Sequence, residues 1–297
     1  MKVFKILVLS LLVATGLTQC TKSDDPVTAP TAYDLADAQK GGMLYDALWN
    51  KDAGSTLDSA TVVKLNAAPN FFKCKACHGP EYKGFTGKYI NRTPLTAIGT
   101  TPAKARPSVV SFSLAEVGIS DAPQDIFDEI RRTDGRRSLS YDLTQYDATA
   151  GAVGNEMPDY TTLLTDAQVW DIVKFIKTQT IDVSKLYTDS IIGGYASASS
   201  YGFKNIGLDG NATSGKTFYT KNCASCHGTD GKTLAGSTTF KGVGYYVRNE
   251  PYNIFNVVRF GRFSSTTSKS LMPAFAATDQ ELKDLYKACA DDVAFPL

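Results

Sequence analysis

Two short stretches of this chain carry the same reactive set at the same spacing. Cys74-Lys75-Ala76-Cys77-His78-Gly79 and Cys223-Ala224-Ser225-Cys226-His227-Gly228 each place two thiols three positions apart and an imidazole directly after the second. The chain has six Cys and two His, and both His lie in these stretches. That spacing is the attachment signature of c-type haem, in which the thiols add to the vinyl groups and the adjacent imidazole binds the iron. A redox-active dithiol would leave each following His unexplained, and a zinc site would need further Cys or His at suitable spacing. The sequence therefore predicts two covalently bound haems c. Cys74 and Cys77 would hold the first and Cys223 and Cys226 the second, with His78 and His227 as axial ligands of the iron.

Each iron then needs its opposite position accounted for, by His, Met, Lys, Tyr, water or an open site. No third His exists, so neither centre can be bis-His. The four Met are Met1, Met43, Met157 and Met272. Met157 and Met272 both precede Pro, which biases the local backbone towards an extended loop suited to presenting a thioether. They also fall at corresponding points of the chain, and we take them as the opposite axial ligands. Met43 has no such counterpart and reads as packing. A thioether opposite an imidazole favours ferrous iron and leaves no open position for a substrate, which points to electron transfer.

The correspondence extends well beyond the thiols. Pro123, Ile126, Phe127, Ile130 and Arg131 recur in spacing as Pro251, Ile254, Phe255, Val258 and Arg259. Thr165, Asp166, Gln168 and Asp171 recur as Thr278, Asp279, Glu281 and Asp284. Both of the latter segments open with a capping box and continue as helices, with Val169, Ile172, Val173 and Ile176 matching Leu282, Leu285, Tyr286 and Cys289 at helical spacing. Cys289 thus reads as a buried small hydrophobe. Ahead of each thiol pair, Gly41 to Trp49 and Ser214 to Tyr219 read as a further helix. The first copy carries extra polar stretches: 79 positions separate His78 from Met157, but 45 separate His227 from Met272. The additional residues read as surface loops, and Asn50 to Asn70 is an extra polar stretch between the first helix and Cys74. Arg131 and Arg259 are candidates for pairing with haem propionates or for exposed helix surface. Arg131-Arg132 and Arg136-Arg137 form either a basic docking patch or a solvated loop. Trp49 and Trp170 are expected in the first core or against haem.

Each half resembles a class I cytochrome c, with a Gly- and aromatic-bearing helix, Cys-x-x-Cys-His-Gly, a Met-Pro loop and a C-terminal helix. Gly215, Tyr219, Cys223, Cys226, His227 and Met272 carry the match in the second half, and Gly41, Tyr45, Cys74, Cys77, His78 and Met157 in the first. The resemblance implies an all-α fold of two tandem domains, each wrapped around its haem with one edge near solvent, with loop insertions in the first. The expected organisation is a signal peptide (1–19), a tether (20–32), domain 1 (33–188), a linker (189–210) and domain 2 (211–297).

The amino-terminal segment sets the compartment. Lys2 and Lys5 precede an apolar run from Ile6 to about Leu17, which reads as an export signal too short for a comfortable membrane span. Leu17-Thr18-Gln19-Cys20 resembles a lipobox, with Gln19 in place of the usual small residue, so Cys20 is the candidate lipidated residue. Cleavage after Gly16 is the alternative. The polar Thr21 to Pro26 suits a tether. With 43% hydrophobic and 21% charged residues, the chain has a globular composition. From Cys20 onward, 29 basic residues face 30 acidic ones, which removes nucleic acid as a partner class.

The function expected is electron transfer between extracytoplasmic redox partners by a lipid-anchored di-haem protein. Two alternatives remain. One is an oxidoreductase acting on a small inorganic substrate, as in thiosulfate dehydrogenase-like cytochromes. The other is the cytochrome subunit of a larger dehydrogenase or reductase. A di-haem peroxidase would need further His.

Overall fold

The computed structural model describes residues 31–67, 72–83, 120–131, 160–191, 201–234, 240–263 and 270–297. The first half contains α1 (Ala32–Leu35), α2 (Ala38–Asp46), α3 (Ser59–Ala67), α4 (Cys74–His78), α5 (Pro123–Arg131) and α6 (Asp166–Thr178). The second contains α7 (Ala212–Asn222), α8 (Ala224–His227), α9 (Val243–Asn249), α10 (Pro251–Phe260) and α11 (Asp279–Cys289). Four short strands complete the described residues. β1 (Thr188–Ile191) pairs antiparallel with β2 (Tyr201–Lys204), and β3 (Arg262–Phe263) with β4 (Ser270–Met272). The architecture is all-α in character, with two small ribbons added. No helix among the described residues is long and apolar enough to cross a membrane.

Local chemistry explains where the helices begin. Asp37 caps α2 by accepting from the amides of Gln39 and Lys40, and Asn211 caps α7 by accepting from Ser214. The capping boxes expected at Thr165 with Gln168 and at Thr278 with Glu281 are both formed. Each satisfies amides that the first helical turn leaves without partners. The apolar stripe of α6 is buried at Val169, Ile172, Val173 and Ile176, and that of α11 at Leu282, Leu285, Tyr286 and Cys289. The helical period read from the sequence thus selects the inward faces, and Cys289 sits in the core as expected.

In each half the first long helix crosses the last at a glycine. A Cβ on Gly41 would lie 1.9 Å from the Asp171 carbonyl oxygen, and one on Gly215 would lie 1.9 Å from that of Asp284. The capping residues add a second tie, because the Asp37 amide donates to Asp171 (2.7 Å) and the Asn211 amide to Asp284 (2.8 Å).

Three of the sequence features gain detail in the structure. Asn50 to Asn70 includes a 3-10 turn at Lys51–Ala53 and then α3, whose Val62 and Leu65 are buried one turn apart. The linker is partly a β-ribbon, with Phe203 edge-on to Tyr187 at 5.4 Å and near Tyr252 at 5.7 Å. Arg131 and Arg259 are not exposed helix surface, since each guanidinium grips the start of a C-terminal helix. Arg131 donates to Asp166 (2.8 Å) and to the Leu164 carbonyl (2.7 Å). Arg259 pairs with Asp279 and donates to the carbonyls of Ala277 (2.9 Å) and Gln179 (3.2 Å).

The two halves share one hydrophobic core. The Phe260 ring of α10 packs onto Gly42 of α2, where a Cβ would lie 2.2 Å from the ring. The Gln39 amide donates to the Arg259 carbonyl at 2.5 Å. Trp170 stacks on Phe127 at 4.3 Å, inside the first half.

Candidate haem sites

The second site is built on α7 and the turn that follows it. Cys223 ends α7, its amide still bonded to the Tyr219 carbonyl at 2.8 Å, and α8 carries Cys226 and His227. Gly228 then reverses the chain at φ 75°, in the left-handed region that glycine enters without cost. The Tyr219 hydroxyl donates to the Gly228 carbonyl at 2.7 Å and fixes this turn against its own helix. Cys223 is buried and Cys226 exposed, so the two thiols face different surroundings. Burial, with Cys226 nearby, pushes the Cys223 thiol up to about 11. Burial also lowers the pKa of His227, favouring the neutral imidazole, the form that ligates a metal. Its Nδ1 is buried without a hydrogen-bond partner among the described residues, and its ring centroid lies 5.2 Å from that of Phe240.

Met272 comes from a separate segment. It lies on β4 opposite Arg262 of β3, partly buried against the core. Gly261, at φ 73°, is where α10 ends; a Cβ there would lie 2.5 Å from the Met272 carbonyl oxygen. The Phe275 amide donates to the Val258 carbonyl at 2.9 Å, tying the chain beyond Pro273 back to α10.

The first site repeats the turn. α4 spans the thiol-imidazole motif, with Cys74 and His78 partly buried. Gly79 takes φ 75°, and the Tyr45 hydroxyl donates to its carbonyl at 2.6 Å. Lys75 pairs with Asp46 at the end of α2. The Lys73 ammonium lies 5.2 Å from the ring centroid of Trp49, whose buried Nε1 has no hydrogen-bond partner among the described residues. Cys77 lies within α4. Met157, Cys20 and the pair Arg136-Arg137 lie outside the described residues.

The residues suit covalent haem. At the second site two thiols precede an imidazole whose burial favours the neutral form, its own Nδ1 buried and a glycine turn following it. No group of three or more His, Cys, Asp or Glu among the described residues could hold a metal ion. The role of the two tyrosine hydroxyls was not legible in the spacing. The duplicated aromatic eight residues after each cap was its only trace.

Residues 65–180 match the family model described as cytochrome c, and residues 210–287 match that described as cytochrome C oxidase, cbb3-type, subunit III. The comparisons with curated proteins and with solved structures returned no match. The chain therefore carries two tandem cytochrome c domains, matched at residues 65–180 and 210–287. It is a two-domain c-type cytochrome, of the class that binds haem covalently and transfers electrons.

Proposed function

We propose that the chain carries two haems c and passes electrons between extracytoplasmic redox partners. Cys74, Cys77 and His78 would hold the first, and Cys223, Cys226 and His227 the second, with Met157 and Met272 as opposite ligands. The observation that carries this reading is the duplicated turn, in which Tyr45 anchors Gly79 and Tyr219 anchors Gly228. A turn held alike in both copies presents both imidazoles from rigid support. When bound, each haem supplies a one-electron ferric/ferrous couple. The protein's part is to hold His227 neutral, to keep the Cys223 sulfur buried, and to fix the Met-Pro segment through the β3–β4 ribbon and Gly261. Lipidation of Cys20 would tether the protein to the membrane outside the cytoplasm.

Optical spectra of the purified protein, with and without carbon monoxide, test the assignment. Two low-spin ferric haems are expected, and the reduced protein should leave carbon monoxide unbound. A high-spin centre that binds carbon monoxide would replace this reading with that of an enzyme on a small inorganic substrate.

The second-half match supports one further reading, a cytochrome subunit of a larger membrane oxidoreductase. Affinity isolation from solubilised membranes distinguishes the two, because a subunit retains stoichiometric partners and a mobile carrier does not.

A further inference from the structure

One backbone outlier sits directly behind the first motif. Tyr82, four residues after His78, adopts φ 66°. That left-handed conformation is unfavourable for a non-glycine residue. The matching position in the second copy is Gly231, at φ 76°. The turns are otherwise alike: the Tyr82 amide donates to the Gly79 carbonyl at 3.2 Å and the Gly231 amide to the Gly228 carbonyl at 3.4 Å. The turn needs no side chain, so the tyrosine is there for what it touches.

What it touches lies in both domains, and its hydroxyl bonds to the second. Tyr82 is fully buried, with its ring among Tyr45, Phe175 and Phe255 at 5.6–5.7 Å between centroids. Its hydroxyl donates to Asn256 Oδ1 of α10 at 2.5 Å, and Asn256 Nδ2 donates to the carbonyl of Pro80. Asn256 is itself 6% exposed. Its counterpart in the first copy, Asp128, is exposed and accepts from Gln124 within its own helix. The repeat is therefore broken at both ends of one contact. A neutral amide is also the side chain that can accept from a hydroxyl and donate to a carbonyl at once. Aspartate lacks the donor and leucine lacks both.

We propose that Tyr82 and Asn256 are positioning residues, forming a clasp through which the second domain fixes the loop that follows His78, the residue that would ligate the first haem. Gly79 is held by the first domain's own Tyr45, whereas Pro80 and Tyr82 are held by α10. The first centre's reduction potential consequently depends on the second domain, and the second centre has no reciprocal clasp at Gly231. This rests on the reading of one haem in each domain.

The test uses the full-length holoprotein. A pyridine haemochrome assay first counts haem per chain, and a count of one rejects the two-haem reading rather than the clasp. Spectroelectrochemistry then follows both centres in Tyr82→Phe, Tyr82→Gly and Asn256→Leu. The first centre is recognised as the one whose potential is unmoved by Met272→Ala. Each clasp variant is expected to shift the first centre alone, by on the order of tenfold in its reduction equilibrium, ~59 mV for a one-electron couple. Tyr82→Phe and Asn256→Leu should combine less than additively. Tyr82→Gly removes the backbone strain while losing the clasp, so its potential should shift whatever its melting temperature does. Lowered stability with both potentials unchanged, or equal shifts at both centres, overturns the inference.

Discussion

Gly215 and Asp284 meet so closely that a single methyl group on Gly215 would overlap the aspartate carbonyl oxygen, at 1.9 Å. Gly41 and Asp171 stand in the same relation at the same distance. The crossing of first and last helices is therefore set by backbone contact, and the capping residue of each first helix adds a hydrogen bond to the same aspartate.

Gly215→Ala must push α7 and α11 apart. The expected loss is about 1–3 kcal/mol, the usual cost of overpacking. Gly41→Ala should cost a similar amount in the first half. Urea unfolding followed by circular dichroism measures both, and an unchanged midpoint for either would show that the crossing is not tight.

The two arginine clamps are unequal. Arg259 is 8% exposed and reaches Gln179 in the first half, whereas the Arg131 bonds stay within its own half. Arg259→Ala leaves the carbonyls of Ala277 and Gln179 without their donor, and a loss of ~3 kcal/mol is expected. Arg131→Ala should cost less, about 1 kcal/mol. Thermal denaturation of both variants would refute this by giving the opposite order.

Met272→Ala is expected to retain covalent haem and to lower the potential of one centre only, because the thioether favours ferrous iron. Redox titration of the variant provides the check. Spectra identical to the parent protein at both centres would remove Met272 from the ligand set.

Asp171 gives an unusual acid response. Burial, the largest cause, raises its pKa above 3.8, although the Asp37 amide opposes the shift. A carboxylate raised in the folded state contributes stability that is present below 3.8 and lost as pH rises through its folded pKa. Asp171→Asn imitates the protonated group and keeps an acceptor for Asp37. Its stability should exceed that of the parent at pH 7, with the gap closing as pH falls toward 3.8. Urea midpoints at several pH values would contradict this if the gap widened on acidification.

Much of the site was legible because haem attachment is local. Cys, Cys and His must be neighbours in sequence to reach one macrocycle, so their spacing alone carried the chemistry. Capping boxes are equally local, and Thr165 and Thr278, each paired with the residue three positions on, announced the C-terminal helices. Arg131 and Arg259 were visible as a matched pair, yet their partners were not. Nothing in the Pro-x-x-Ile-Phe pattern says whether a guanidinium turns to a propionate or to a helix start.

The sequence by itself determined the thiol-imidazole motifs, the duplication, the helical faces and the candidate thioethers, all of which depend on short-range spacing and residue type. Tertiary structure decided how the copies meet. Tyr82 and Asn256 stand 174 positions apart, and a hydrogen bond over that separation leaves no periodicity or cap to read. Its only trace was two departures from the repeat, Tyr82 against Gly231 and Asn256 against Asp128. Those became meaningful once packing placed them 2.5 Å apart.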